Sequence, residues 1–162
     1  MPKATQRTVT NEAVINALNR EVANAVGLYL NYKKYHWHVS GPLFRDLHLL
    51  FDEHAAQVLA TVDELGERVR ILGGLAAHHP DQVTELASVQ LSAPGKQTPR
   101  EMIEEALTNH QTVIAGMHQG IETAEEARDP GTMDLLTRLV QIHEKQAWFL
   151  REVATRESSM LT

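Results

Sequence analysis

Residues 35–74 read YHWHVSGPLFRDLHLLFDEHAAQVLATVDELGERVRILGG. From about Pro42 to Leu72 the segment predicts one long helix, because Leu43, Leu47, Leu50, Phe51, Val58, Val62, Leu65 and Val69 supply apolar faces. Pro42 suits a helix start and Gly73-Gly74 a stop. On this helix His48 and Asp52 lie four apart and share a face, as do Asp63 and Glu67. His36 stands just before the turn that leads in. All five side chains are of types that bind divalent metals through N and O atoms.

Asp52 and Asp63 are close to three helical turns apart, so the two pairs fall on roughly one stripe. Along the axis, however, the pairs are centred about 22 Å apart, too far for one ion to touch both. The spacing leaves two alternatives: separate half-sites, each short of ligands, or one site shared between two chains. Two copies packed antiparallel across a two-fold axis near Gln57 and Val58 would bring His48 and Asp52 of one chain opposite Asp63 and Glu67 of the other. Each of the two resulting sites would hold His36, His48 and Asp52 from one chain and Asp63 and Glu67 from its mate. The bland alternative is a solvated acidic face with no metal chemistry.

His36-Trp37, Gly41, Phe44, His48, Asp52, Asp63-x3-Glu67 and Leu72-Gly73-Gly74 resemble the signature of the Dps family, the ferritin-like mini-ferritins. The resemblance implies an all-α, ferritin-like four-helix bundle and a di-iron ferroxidase site between two-fold-related subunits. Within it, His36, Asp63 and Glu67 would form the tighter iron position. His48 and Asp52 would form the weaker one, with Glu67 as the bridge. It further implies oxidation of Fe(II) by hydrogen peroxide or dioxygen, a dodecameric shell storing ferric mineral, and protection of DNA from oxidative damage. Trp37 and Trp148 would flank the site, either as apolar filler or as oxidisable electron donors. Glu125, Asp129 and Asp134 match the family's three-fold pore segment; an acidic helix start is the plainer reading of the same residues. Zn(II) is an expected competitor for such a His-rich ligand set.

The remaining sequence fits this helix order. Residues 1–10 hold no apolar periodicity and read as a flexible tail, with only Lys3 and Arg7 as basic side chains. Residues 11–156 form the bundle and 157–162 a short polar tail. The first helix spans about Asn11 to His38, with Val14, Leu18, Val22, Ala25, Tyr29 and Tyr32 as its core stripe. Residues 75–98 are a long crossover between helices two and three, and could carry a short helix over Asp81–Ala87. Thr98-Pro99-Arg100-Glu101 is a capping box opening the third helix, which runs to about Ala127. Asp129-Pro130-Gly131 breaks before the fourth, from about Thr132 to Arg156.

Three histidine readings complete the site expectations. His110 falls within an apolar stripe and reads as a hydrogen-bonded core residue. His143 reads as a buried imidazole with a partner, or as an extra metal contact. His78 and His79 read as exposed loop residues. No His is preceded at three residues by Glu, so the intra-bundle Glu-x-x-His pairs of other di-iron bundles are absent.

Composition narrows the function classes. The chain of 162 residues has no cysteine, which excludes disulfides and thiolate metal sites. A formal net charge of −6 opposes nonspecific nucleic-acid binding through the body of the fold. No window is apolar enough for a membrane span and no leader pattern stands at the N-terminus, so a cytoplasmic location is expected. In some members of the family a lysine-rich terminus binds DNA; with two basic side chains, weak binding is the expectation here. Three function classes follow: a ferroxidase and storage shell, a DNA-coating nucleoid protein in which metal chemistry is secondary, and a purely structural helical bundle.

Overall fold

The computed structural model describes residues 3–155, with side chains from Asn11 onward. Five helices follow one another: α1 (Lys3–His38), α2 (Phe44–Ile71), α3 (Pro80–Leu86), α4 (Pro99–Glu126) and α5 (Pro130–Val153). The four long helices form the bundle, with α1 packed on α2 and α4, and α4 on α5. The short α3 lies in the crossover and packs on α1. This is the all-α, ferritin-like architecture with a helix-bearing crossover that the sequence predicts.

Helix α1 extends back to Lys3, through residues expected to be a tail. Residues 3–10 contain no Gly or Pro, and adding a turn to an existing helix needs no new nucleus. Helix α2 begins later than expected, at Phe44, because Gly41 adopts φ +105° and places Pro42 in the preceding turn rather than at the first helical position. Its end is the predicted one. Gly73 sits at φ +89° while the N–H of Gly74 reaches back to the carbonyl of Val69, which ties off the last turn. Thr98 and Glu101 cap α4 reciprocally, and Asp129 caps α5 through the N–H of Thr132.

Fully buried Leu18, Leu28, Phe51, Leu65, Met102, Ile103, Leu136 and Leu150 form the core shared by the four long helices. The crossover is fixed by asparagines instead. Asn24 Oδ1 accepts from the N–H groups of Ser88 and Val89. Asn31 both donates to the Gln90 carbonyl and accepts from Ser92 N–H. Asn109 does the same with both backbone groups of Gln90. Side-chain amides thus satisfy backbone groups that no helix or sheet pairs. Among the described residues, no helix is long and apolar enough to cross a membrane.

Candidate metal centre

The turn between α1 and α2 is short, so the last turn of one helix lies against the first turns of the next. His36 and His48 meet there, with stacked rings 3.7 Å between centroids. His36 Nδ1 lies 2.8 Å from the His48 carbonyl and His48 Nδ1 lies 2.7 Å from the His36 carbonyl. A carbonyl can only accept, so each Nδ1 carries the proton and each Nε2 keeps its lone pair. This is the tautomer a metal-binding imidazole needs. His36 Nε2 stands 3.9 Å from Asp52 Oδ1, which joins Asp52 to the pair.

Lys33 Nζ donates to that same Asp52 oxygen at 2.7 Å and lies 5.7 Å from the centre of the Trp37 ring. The hydrogen bond from Lys33 holds the Asp52 carboxyl below its ordinary range. The sequence reading missed Lys33. Its position one turn before His36 was the available signal.

Asp63 and Glu67 sit on the exposed side of α2, at the edge of an open, mostly apolar depression. Val62, Gly66, Arg70, Ile71 and Ala76 line it with them. They do not meet His36, His48 or Asp52 within the chain. Among the described residues no three His, Asp or Glu side chains are grouped to hold a metal ion. The five residues therefore form two half-sets, His36 of α1 with His48 and Asp52 at one end of α2 and Asp63 with Glu67 toward the other. Between them Leu49, Ala56, Leu59 and Ala60 are exposed. Val58, expected near a two-fold axis, instead points into the core. An antiparallel pairing that sets Asp52 opposite Asp63 also sets Ala56 opposite Leu59, a small residue against a large one.

The other expected site residues lie elsewhere. Trp37 and Trp148 are exposed, and the Trp148 indole N–H donates to Glu152. Glu125 and Asp134 are exposed near the α4–α5 corner. Asp129 is engaged, accepting from Thr132 and pairing with Arg68. Burial raises the Asp129 carboxyl's pKa, but the bonds from Thr132 and Arg68 outweigh it and the net shift is downward.

His143 is buried in the bundle, 3.0 Å from His110 Nδ1, and apart from the five. It matches the reading of a buried imidazole with a partner and is no part of the ligand set proposed below. Burial pushes it down to about 4. His110 is likewise buried, while His78, His79 and His118 are exposed.

A ferritin-like domain family matches residues 15–160. The Dps structure from Thermosynechococcus elongatus is 49% identical, covers 97% of this chain and 99% of its own, and superposes with a TM-score of 0.92. This chain belongs to the Dps family. DNA protection during starvation protein 2 of Bacillus anthracis is 33% identical over 87% of this chain and 96% of its own length. A Dps structure from Vibrio cholerae, described as a member of a broad superfamily of ferritin-like diiron-carboxylate proteins, is 26% identical. It covers 91% of this chain and 92% of its own, with a TM-score of 0.86. In this chain the His48/Asp52 and Asp63/Glu67 pairs are centred about 22 Å apart along α2.

Proposed function

We propose that this Dps chain is a ferroxidase that completes its iron site only by pairing with a second copy. The observation that carries the reading is the tautomer lock at His36 and His48. The Nδ1–H bonds leave each Nε2 available, that of His36 3.9 Å from Asp52 Oδ1, while the complementary acids Asp63 and Glu67 are exposed farther along α2. In the pair, His36, Asp63 and Glu67 hold one Fe(II), His48 and Asp52 the other, and Glu67 bridges. Neutral imidazoles and carboxylates suit Fe(II), and the carboxylate charge favours Fe(III). The exposed Leu49, Ala56 and Leu59 supply apolar surface for the seam.

The electron count explains why two irons are held together. Hydrogen peroxide takes two electrons and two protons as its O–O bond breaks, giving two waters. Each Fe(II) supplies one electron, so no hydroxyl radical is left over. Dioxygen can substitute as oxidant. The ferric product then hydrolyses and collects as mineral inside a twelve-chain shell. Iron enters past Glu125 and Asp134, with Asp129 shaping the same corner. Zn(II) competes for the same donors. The shell is cytoplasmic, and its negative charge and few terminal basic groups make DNA binding weak.

A mixing experiment tests the shared site. Asp63→Asn/Glu67→Gln chains and His36→Leu/His48→Leu chains are each expected to assemble but to oxidise Fe(II) at background rates. Co-assembled at equal amounts they recover about a quarter of wild-type activity, since half the dimers are mixed and each has one intact site. Full activity in either parent, or no recovery on mixing, sinks the reading.

A further inference from the structure

Inside the bundle each long helix contributes one member of a polar chain. Tyr32 of α1, His54 of α2, His110 of α4 and His143 of α5 are at most 1% exposed. Tyr32 Oη lies 2.5 Å from His110 Nε2 and 3.2 Å from His54 Nδ1, and His110 Nδ1 lies 3.0 Å from His143 Nδ1. No metal-holding group of three ligands occurs among the described residues, so the cluster is not a hidden metal site. Among those residues His143 Nε2 and Gln146 Oε1 have no hydrogen-bond partner.

A neutral imidazole has one N–H, so the contact between the two Nδ1 atoms holds a single proton, given by one ring and accepted by the other. A proton on His143 alone leaves its Nε2–H without an acceptor. One on His110 alone can be bonded on both sides, by Tyr32 and by His143, but its charge then lies at the centre of the bundle. With both rings cationic every ring nitrogen carries hydrogen, and N–H faces N–H across the 3.0 Å contact between two like charges.

The surroundings offer such charges no relief. From α1 the pair is faced by Tyr32, a neutral phenol, and from α2 by His54, another imidazole. Among the described residues no carboxylate is bonded to either ring; Glu105, on α4 itself, accepts from Tyr35. Burial accordingly holds His143 down to about 4 and His110 well below its usual value, with His143 and His54 repelling a charge on His110 as well. Unfolded imidazoles titrate near 6.5, so below that pH the unfolded chain binds the protons that the folded pair refuses. The stability held in the pair is complete above pH 6.5 and is lost as pH falls toward 4.

The place of the pair gives that loss a direction. Helix α5 packs chiefly on α4 and only lightly on α2, so the His110–His143 contact lies in its main support. We propose that His110 and His143 form an acid latch, in which protonation of both imidazoles parts α5 from α4 and opens the bundle. The latch needs no iron and is independent of the ferroxidase reading.

The test compares assembled wild-type shells with His110→Leu/His143→Leu, which makes both partners of the contact apolar and leaves neither unpaired. Tyr32 keeps His54 as a partner in that variant. Unfolding by guanidinium at pH 5 in weakly buffered indicator solution counts the protons taken up, and the wild type is expected to take up about two more per chain. His54 is present in both proteins and cancels. Acid jumps from pH 7 to final values between 6 and 4, followed by the emission of Trp148 on α5, read the opening itself. Because both protons must be bound before the helices part, the wild-type rate is expected to climb about a hundredfold more per pH unit than the variant's. An uptake difference of one proton or none, or equal steepness of the two rates, overturns the proposal. Should the double variant not assemble, His143→Gln keeps an amide against His110 but takes no proton. It is expected to take up about one proton fewer than the wild type and to climb about tenfold less per pH unit, and wild-type behaviour there is equally fatal.

Discussion

The imidazoles of His36 and His48 hold each other's orientation through crossed bonds, each Nδ1–H donating to the other residue's backbone carbonyl. Ring rotation would break a hydrogen bond at the helix junction, so the pair is fixed in the orientation the proposed iron site requires. Replacing His36 by Leu removes a proposed ligand and frees the His48 carbonyl at once. Affinity for Fe(II), or for Co(II) as a stable probe, is expected to fall by more than the ~10–100-fold that loss of an outer-shell partner costs. Calorimetric titration of assembled shells reads it directly, and an unchanged constant would remove His36 from the ligand set.

Lys33 occupies the place beside Asp52 where the second iron is proposed to sit. Its ammonium must swing away for the ion to bind. Lys33→Met keeps an unbranched apolar side chain but removes the charge that lies beside Asp52 and over the Trp37 ring. The second equivalent of Fe(II) per site is expected to bind severalfold more tightly, with the first little changed. Equal weakening of both equivalents would show instead that Lys33 organises the site.

Arg68 reaches from α2 to the α4–α5 corner, donating to Asp129 and to Thr132 Oγ1. Its guanidinium lies so close to Gly131 that a Cβ there would come within 3.0 Å of it. Arg68→Ala leaves Asp129 partly buried without its cation. A loss of about 1.5–3 kcal/mol is expected in denaturant unfolding, the range for hydrogen bonds to charged groups. The freed carboxylate would also add charge to the proposed pore, so iron uptake per shell should not slow.

Four of the five candidate ligands stood out because helical periodicity puts His48 with Asp52 and Asp63 with Glu67, and the rise per residue keeps the pairs apart. His36, on α1, stood out by its place before the turn and by the resemblance. The Tyr32–His54–His110–His143 chain was only half legible. His110 and His143 stood out as polar residues on apolar stripes, yet their partners depend on the rotation of four helices about their axes, which no single stripe encodes. The crossover and its short helix were legible, but what fixes residues 88–92 of it was not, for a similar reason. Asn24 and Asn31 lie seven apart on the inner side of α1, and that spacing was the signal that the helix holds the crossover's backbone against itself. Accordingly Asn24→Ala, which orphans two backbone N–H groups, is expected to cost about 1–3 kcal/mol. Hydrogen exchange at Ser88 and Val89 should rise with it.

Glu21 is a buried carboxyl, 2% exposed on α1, with Asn24 Nδ2 donating to its Oε2 at 3.1 Å. Its other oxygen presses on Gly116 of α4, where a Cβ would come within 2.5 Å. Burial lifts this carboxyl from 4.5 to about 7, against smaller downward pulls from Asn24 and Arg20. The folded chain therefore binds this proton more tightly than the unfolded chain does. The stabilisation is complete below pH 4.5 and is lost as pH rises through 7. A shift of this size corresponds to about 3 kcal/mol. Between pH 5 and 8 the wild type should lose most of that amount, while Glu21→Gln, neutral throughout, should show a flatter profile and match or exceed the wild type at pH 8. Denaturant midpoints across that range check it. A wild-type profile that tracks Glu21→Gln would mean the carboxylate finds water or a cation when it ionises.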